Sequence, residues 1–183
     1  DVLNLAIEQG ESDKQIEMKF LEVREVFKKI EFLIAYLDPQ EYNTYINGAP
    51  LPKIMPKVPD LTIVEPTGLQ RMEELVYEES IDTSALKEQV KTLKTHLTAL
   101  TPSRIKRELI DAVLFEAIRV GIMRINTMGI TGFDSPGNTD KSLEETAISL
   151  KGIQIALARY QVNNPNPEAL WIEFNRLCKK GDQ

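Results

Sequence analysis

Two polar residues that could form part of a binding site lie three positions apart near the start of a predicted helix, Gln70 and Glu73. Residues at this spacing are neighbours on a helix surface, so the amide and the carboxylate project from adjacent points. Carboxylate oxygens favour hard cations or iron over zinc, and glutamine is a poorer ligand for transition metals than imidazole. The pair therefore indicates a polar or oxygen-ligand cluster, with the identity of any metal left open.

Two further carboxylates, Glu31 and Asp134, complete the candidate cluster. Glu31 lies on a long predicted helix in line with Arg24 and Lys28, at spacings of three and four that allow pairing along the helix. One interpretation of this line is an exposed, salt-bridged edge. The other places Glu31 inside the protein, facing the helix of the first pair. Asp134 lies in a glycine-rich loop, where an aspartate side chain can bond nearby backbone amides.

Other kinds of reactive site lack their usual residues. The sequence has no Gly-rich phosphate loop and no Ser/His/Asp set. The single histidine, His96, is interpreted as a structural residue. The single cysteine, Cys178, excludes an internal disulfide, a Cys-x-x-Cys site and a c-type haem attachment. We therefore expect no catalytic residues and no cofactor within this chain.

Charge narrows the range of partners. The chain has 28 acidic and 22 basic residues, a net charge of -6. This balance argues against the phosphate-neutralising surface of a nucleic-acid-binding protein. The basic residues Arg104, Lys106 and Arg107 lie beside acidic ones and are interpreted as a solvated helix face.

The apolar spacing predicts an all-α fold, an up-and-down bundle of five to six helices with one long Pro-rich crossover loop and no strand. Caps such as Asp82 and prolines such as Pro66 mark several helix starts. The predicted helices run from 12 to 37, from 66 to 78, from 82 to 100, from 102 past 125, from 142 to 160 and from 167 past 177.

We expect a single domain over 1–183, with 1–11 loosely ordered, a Pro-rich loop at 47–65 and a Gly/Pro loop at 129–140. The helix after 102 is the most apolar and is predicted to be central, contacted on most sides. It carries too many charges for a transmembrane segment. Because the chain begins at Asp1 rather than methionine, we also expect a processed or trimmed product.

The segment from Gly68 to Glu73, Gly-Leu-Gln-Arg-Met-Glu, resembles the Gly-x-His-x-x-Glu helix of the imelysin proteins. These are helical-bundle proteins of the bacterial cell envelope, linked to iron uptake and once described as metallopeptidases. The first long helix, with Arg24, Phe27 and Glu31, is similar to their opening helix. Glu73 matches the family motif, whereas Gln70 stands where the family has histidine.

A closer resemblance is to the helical domain that precedes the di-haem cytochrome c peroxidase domain of certain bacterial envelope proteins. It covers about residues 16 to 180 and rests on the order of several short motifs. Its characteristic residues include Gly68, Gly129, Gly132 and Pro136. The matching segments are 27–32, 47–52, 65–70 and 129–136. The resemblance implies a location in the periplasm or cell envelope, and as partner a haem peroxidase domain or an envelope redox or iron-handling protein.

Three hypotheses follow. The first is a non-catalytic binding or accessory domain that serves a di-haem peroxidase or an iron-handling system. The alternative is an imelysin-type metal-binding or metallopeptidase-like protein, using Glu31, Glu73 and Asp134 with Gln70 as an outer partner. The third is a helical module that only mediates contacts. For the site, we predict that Glu73 lies near Gln70 and Glu31 and that residues 129–138 close one end of the bundle.

Overall fold

The computed structural model of the chain describes residues 1–56, 61–100, 110–130 and 141–163. The protein is mostly helical, as predicted, and the described residues form seven α-helices and two short strands. The helices are α1 Val2–Glu8, α2 Asp13–Leu37, α3 Pro39–Glu41, α4 Leu69–Val76, α5 Thr83–Ala99, α6 Asp111–Arg124 and α7 Ser142–Asn163. The strands are β1 Lys53–Pro56 and β2 Leu61–Val64. Helices α3 and α6 continue as single π-helical turns, Tyr42–Ile46 and Ile125–Gly129.

Contacts between residues divide the chain into two compact units. The first unit comprises Asp1–Arg24 and Asp38–Glu108, and the second comprises Glu25–Leu37 and Leu109–Gln183. Helix α2 passes from one unit into the other, so its two halves belong to different cores. The expected single domain over 1–183 stays a prediction.

Helix α2 begins and ends where the sequence places its signals. At its start, the Ser12 backbone N–H donates to Gln15 Oε1 at 3.1 Å and the Ser12 hydroxyl lies 2.9 Å from the same oxygen. This arrangement satisfies a backbone donor that has no partner within the helix. At its end, Asp38 accepts a hydrogen bond from the Glu41 backbone N–H at 3.2 Å, with Pro39 in the first turn of α3.

The core of the first unit is formed by α1, the first half of α2, α4 and α5. Asp82 caps α5 as predicted, accepting hydrogen bonds from the Ser84 and Ala85 backbone N–H groups at 3.0 Å each. The most deeply buried apolar residues here include Leu3, Ile16, Phe20, Leu69, Met72 and Leu86.

Residues 1–11, expected to be loosely ordered, instead contain helix α1. Leu3, Ala6 and Ile7 have the spacing of one helical face and are buried. The burial of this apolar face explains why a short terminal segment is helical, since packing rather than propensity stabilises most helices in proteins.

The Pro-rich segment 47–65, predicted as a loop without strands, contains an antiparallel pair of strands. Ile54 pairs with Ile63 and Lys53 with Val64. Proline is confined to edge strands because it donates no ladder hydrogen bond, and both strands of a two-stranded pair are edges. The prediction that this chain has no strand is therefore wrong for this segment, although residues 57–60 lie outside the described part of the chain.

The core of the second unit is formed by the second half of α2 with α6 and α7. Phe32, Ala117, Ile118, Ile153 and Leu157 form its buried apolar cluster. Two glycines allow the helices to approach each other. A Cβ atom on Gly152 would lie 1.9 Å from the Lys29 carbonyl oxygen, and one on Gly121 would lie 2.6 Å from Phe32 Cβ.

Helix α6 is less enclosed than predicted. Its fully buried residues are Ala117, Ile118 and Gly121, whereas Val120 is 37% exposed and Met123 is 55% exposed. The expectation that this helix is contacted on most sides is wrong for the described residues, because its packing uses one face with small residues. Residues 101–109, the predicted last helix and residues 131–140 lie outside the described residues. Of the helices that the structure describes, none combines the length and apolar character needed to cross a membrane.

Candidate functional site

In the first unit, the candidate residue Glu73 forms an ion pair with Arg24. The Arg24 Nη1 atom donates to Glu73 Oε2 at 3.0 Å, joining α2 to α4. The Arg24 side chain is 1% exposed, and the Glu73 side chain is 17% exposed. The guanidinium also lies 6.0 Å from the centroid of the Phe20 ring, within the range of a cation–π contact. The Glu73 carboxylate is thus neutralised by a cation that is itself enclosed.

Gln70 has a different partner from Glu73, although the two are neighbours on α4. Its Nε2 atom donates a long hydrogen bond of 3.5 Å to the Asn47 backbone carbonyl, at the end of the π-helical turn. The Asn47 side chain is buried and donates to the Tyr42 hydroxyl at 2.9 Å. Gln70 therefore links α4 to the segment that leads into the hairpin.

Tyr77 lies one helical turn after Glu73, and its hydroxyl is close enough to Glu73 and Arg24 for their charges to affect its pKa. Burial, together with the nearby carboxylates of Glu17 and Glu73, raises the pKa of Tyr77 to about 12, and only the positive charge of Arg24 opposes this rise. Burial removes water from the phenolate, and a like charge disfavours it further. The tyrosine therefore stays a neutral phenol across the physiological pH range.

Gly68, a residue of the imelysin-like motif, has a structural reason to be glycine. It is the N-cap residue of α4, with φ of 94°. A Cβ atom at this position would lie 2.4 Å from the Ile46 carbonyl oxygen. The motif thus begins where α4 packs directly on the backbone of the Tyr42–Ile46 turn.

In the second unit, Glu31 belongs to a group of four charged side chains, of which three are buried and Arg124 is half-buried. Lys28 Nζ lies 3.0 Å from Glu31 Oε2 and 3.9 Å from Glu145 Oε2. Arg124 Nη2 lies 3.8 Å from Glu31 Oε1. Two cations and two carboxylates thus compensate each other where burial of an isolated charge would be costly.

This group decides between the two interpretations of the polar line on α2. Arg24, Lys28 and Glu31 are 1%, 4% and 5% exposed, so the line is buried. The exposed-edge interpretation is wrong, and the pairing of Lys28 with Glu31 along the helix is confirmed. The Glu145 carboxylate, near the start of α7, also belongs to this group.

A cavity of about 20 Å³, room for about one water molecule, borders the four charges. Thr146 lines it, and its buried hydroxyl has no hydrogen-bond partner among the described residues. Gly129, the second motif glycine, also lines the cavity, and a Cβ atom there would lie 3.1 Å from Thr146 Oγ1. Gly129 therefore keeps space next to the charged group.

The candidate residues are divided between the two units. Gln70 and Glu73 lie in the first unit, and Glu31 lies in the second. Asp134 lies outside the described residues, together with Gly132 and Pro136 and the predicted closing loop. A common cluster of Glu31, Gln70 and Glu73 stays a prediction. Within the described part of the chain, no group of three or more His, Cys, Asp or Glu residues could hold a metal ion.

His96 has partners that sequence reasoning missed. Its Nδ1 atom contacts the Glu41 carboxylate, and its ring stacks on Tyr45 with the centroids 4.0 Å apart and the planes 6° apart. The structural interpretation of His96 is consistent with these contacts. Glu41 and Tyr45 are four positions apart on a helical segment, which is the one signal in the sequence that could have placed them side by side.

Comparisons with known proteins give this chain no family assignment. No family model, no curated protein and no solved structure matches it. The imelysin-like resemblance therefore stays a prediction, and the functional argument depends on the geometry above.

Proposed function

We propose that this chain is a non-catalytic binding or accessory helical domain of a bacterial cell-envelope protein. It would serve a di-haem cytochrome c peroxidase or an iron-handling system in the periplasm. The observation that supports the non-catalytic part is the pairing of Glu31 and Glu73 with Lys28 and Arg24, two cations from the interior of α2. A carboxylate already neutralised by an enclosed cation is a poor metal ligand and a poor general base, and it contributes to architecture instead.

The metallopeptidase-like alternative would require these contacts to be broken. A catalytic metal site keeps a position open for water or substrate. In this chain a metal at the Gln70 and Glu73 pair would have to displace the Arg24 guanidinium from the carboxylate, which lies 3.0 Å away. The Gln70 amide would also have to give up its bond to the Asn47 carbonyl.

The envelope location and the peroxidase or iron-handling partner are supported by the resemblance of the ordered motifs. The packing of Gly68 and Gly129 gives two of these motif residues a physical reason, since each keeps space that a side chain would fill. We also propose that the long helices follow one another in an up-and-down bundle, with the Pro-rich segment between α2 and α4 as its long crossover connection.

Sequencing the coding region on both sides of the segment for residues 1–183 tests the accessory role. We expect an upstream signal peptide and downstream Cys-x-x-Cys-His sites in the same reading frame, or an adjacent gene for such a haem protein. Flanking sequence without a signal peptide, a haem motif or an iron-uptake gene would contradict the proposal.

Calorimetry on the whole chain tests the alternative directly. We expect no heat of binding with calcium, manganese, ferrous iron or zinc. The alternative instead predicts binding to the native chain and a stronger zinc affinity in Gln70→His, which restores the imelysin-type histidine and glutamate pair. Saturable zinc binding that is lost in Glu73→Gln would favour the metal-binding protein.

A further inference from the structure

A groove of about 580 Å³ lies in the first unit, between residues of α1, α2, α4 and α5. Its volume falls within the range of roughly 300–1,000 Å³ that small-molecule sites occupy. None of the candidate residues Glu31, Gln70 and Glu73 lines it. The groove is thus separate from the charged sites described above.

The interior of the groove is apolar. Six aliphatic or thioether side chains from all four helices line it, three of them from α5. These residues are Leu3, Val23, Met72, Val90, Leu93 and Leu97. Such a surface favours a hydrocarbon body, because burial of apolar area is the main favourable term in binding.

The rim of the groove carries one positive charge in excess. Three lysines and two carboxylates line it, and two of the lysines are paired with these carboxylates, Glu8 in α1 and Asp1 just before it. Lys87 Nζ lies 3.1 Å from Glu8 Oε1, and Lys94 forms an ion pair with Asp1. Lys91 lies between these two on the same face of α5. Its backbone carbonyl accepts a hydrogen bond from the Thr95 hydroxyl at 3.0 Å, but its ammonium group has no ion pair or hydrogen bond with any residue the structure describes.

We infer that this groove binds a small amphipathic carboxylate, a medium-chain fatty acid or a molecule of the same chemistry. The hydrocarbon chain lies along the apolar lining, and the carboxylate pairs with the Lys91 ammonium. Charge complementarity selects this occupant: a neutral lipid leaves the extra positive charge without a partner, and a cationic amphiphile is repelled by it. The inference does not depend on the proposed accessory function.

Calorimetric titration of the whole chain with dodecanoate, below its micelle concentration, tests the inference. We expect saturable binding at one site, with weaker binding of dodecanol and no binding of dodecyltrimethylammonium. Shortening the acid to decanoate should weaken binding, by about fourfold for each methylene that is buried. Equal binding of all three dodecyl compounds, or no saturable binding of dodecanoate, would overturn the inference.

Two variants test separately how the Lys91 charge and the apolar lining contribute to binding. Lys91→Glu should weaken dodecanoate binding at least tenfold and leave dodecanol binding unchanged, whereas Lys151→Glu, at an exposed lysine of α7, is the matched control with no effect. Leu97→Asn, at a half-buried lining position, should weaken binding of both compounds. Circular dichroism of each variant checks that it is folded. Undiminished dodecanoate binding by folded Lys91→Glu would also overturn the inference.

Discussion

At the residue scale, Arg24 is a side chain whose loss should destabilise the first unit, because it is enclosed and paired with Glu73. Arg24→Met keeps an apolar stem but leaves the Glu73 carboxylate without its enclosed guanidinium, which lies 3.0 Å away. Breaking a buried ion pair costs about 3–5 kcal/mol, and the partial exposure of Glu73 reduces this to about 2–3 kcal/mol. Urea denaturation measures the free energy of unfolding.

Arg71 provides the matched control for Arg24. It pairs with Glu74 at 2.7 Å on the exposed side of the same helix, α4. Because exposed pairs contribute little, Arg71→Met should change the free energy of unfolding by about 0.5 kcal/mol or less. Equal losses of stability in Arg24→Met and Arg71→Met would show that the burial of Arg24 does not strengthen its ion pair.

The raised pKa of Tyr77 predicts that the free energy of unfolding falls at alkaline pH. Its pKa is raised from 10.0 to about 12 in the folded protein, by burial first and then by Glu17. Below the unfolded pKa both states hold the proton, so this contribution to stability is fully present. As the pH rises from about 10 to about 12, the unfolded state releases its proton first, and stability is lost.

Unfolding in urea at several pH values between 9 and 11.5 measures this effect, with Tyr77→Phe as the comparison. The variant should lose less stability over this range than the native chain. Tyr160, whose pKa is also raised, by burial first and then by Asp111, is present in both proteins, so its contribution cancels. The same loss in both proteins would contradict the role of Tyr77.

At the element scale, the start of α4 depends on a glycine. Gly68→Ala would place a methyl group 2.4 Å from the Ile46 carbonyl oxygen, at a residue with φ of 94°. Gly10 also has a positive φ, of 66°, but a Cβ atom there meets nothing within 4 Å. Gly10→Ala therefore tests backbone strain alone, whereas Gly68→Ala adds crowding and, at ψ of -165°, a backbone conformation that suits only glycine.

Gly10→Ala should cost about 1–2 kcal/mol, the strain of a left-handed residue with a side chain. Gly68→Ala should cost about 1–3 kcal/mol more, because its φ of 94° and ψ of -165° suit only glycine and because the turn at Tyr42–Ile46 must move to accept the methyl group. Thermal or urea unfolding of both variants gives the difference. Equal losses of stability in the two variants would mean that the Tyr42–Ile46 turn accepts the methyl group at no cost in free energy.

The elements that the sequence predicts well are those encoded by local signals. Helix α2 follows from its apolar spacing and from Asp38-Pro39, and α5 follows from Asp82. The strands at 53–56 and 61–64 could not be predicted, because each is four residues long and Pro56 argues against the first of them. Short elements that are defined by their pairing carry too little periodicity of their own.

In the candidate site, too, the sequence predicts local contacts but not contacts between distant residues. The pairing of Lys28 with Glu31 could be predicted because the residues are three positions apart on one helix. The pairing of Arg24 with Glu73 joins residues 49 positions apart, and only tertiary structure brings them together. Spacing alone therefore predicted a cation beside Glu31, but it could not show that Arg24 neutralises the Glu73 carboxylate.

At the scale of the whole molecule, α2 is the one element among the described helices and strands that belongs to both units. Arg24 and Lys28 lie one turn apart on it, on either side of the boundary at Glu25, and each pairs with a carboxylate in its own unit. Helix formation is cooperative, so a disruption of this turn should weaken both ion pairs. The stability of the two units should therefore be coupled through α2.

Glu25→Pro tests this coupling, with Glu25→Gln as a control that removes the exposed contact to Lys29 and keeps the helix. Proline in a helix interior costs about 3 kcal/mol, so amide-exchange protection should fall by about 100-fold. Hydrogen exchange measured by mass spectrometry should show this loss in both α5 and α7, one helix from each unit. If only one of them lost protection, the two halves of α2 would fold independently; loss in both means that a single continuous helix sets the stability of the whole chain.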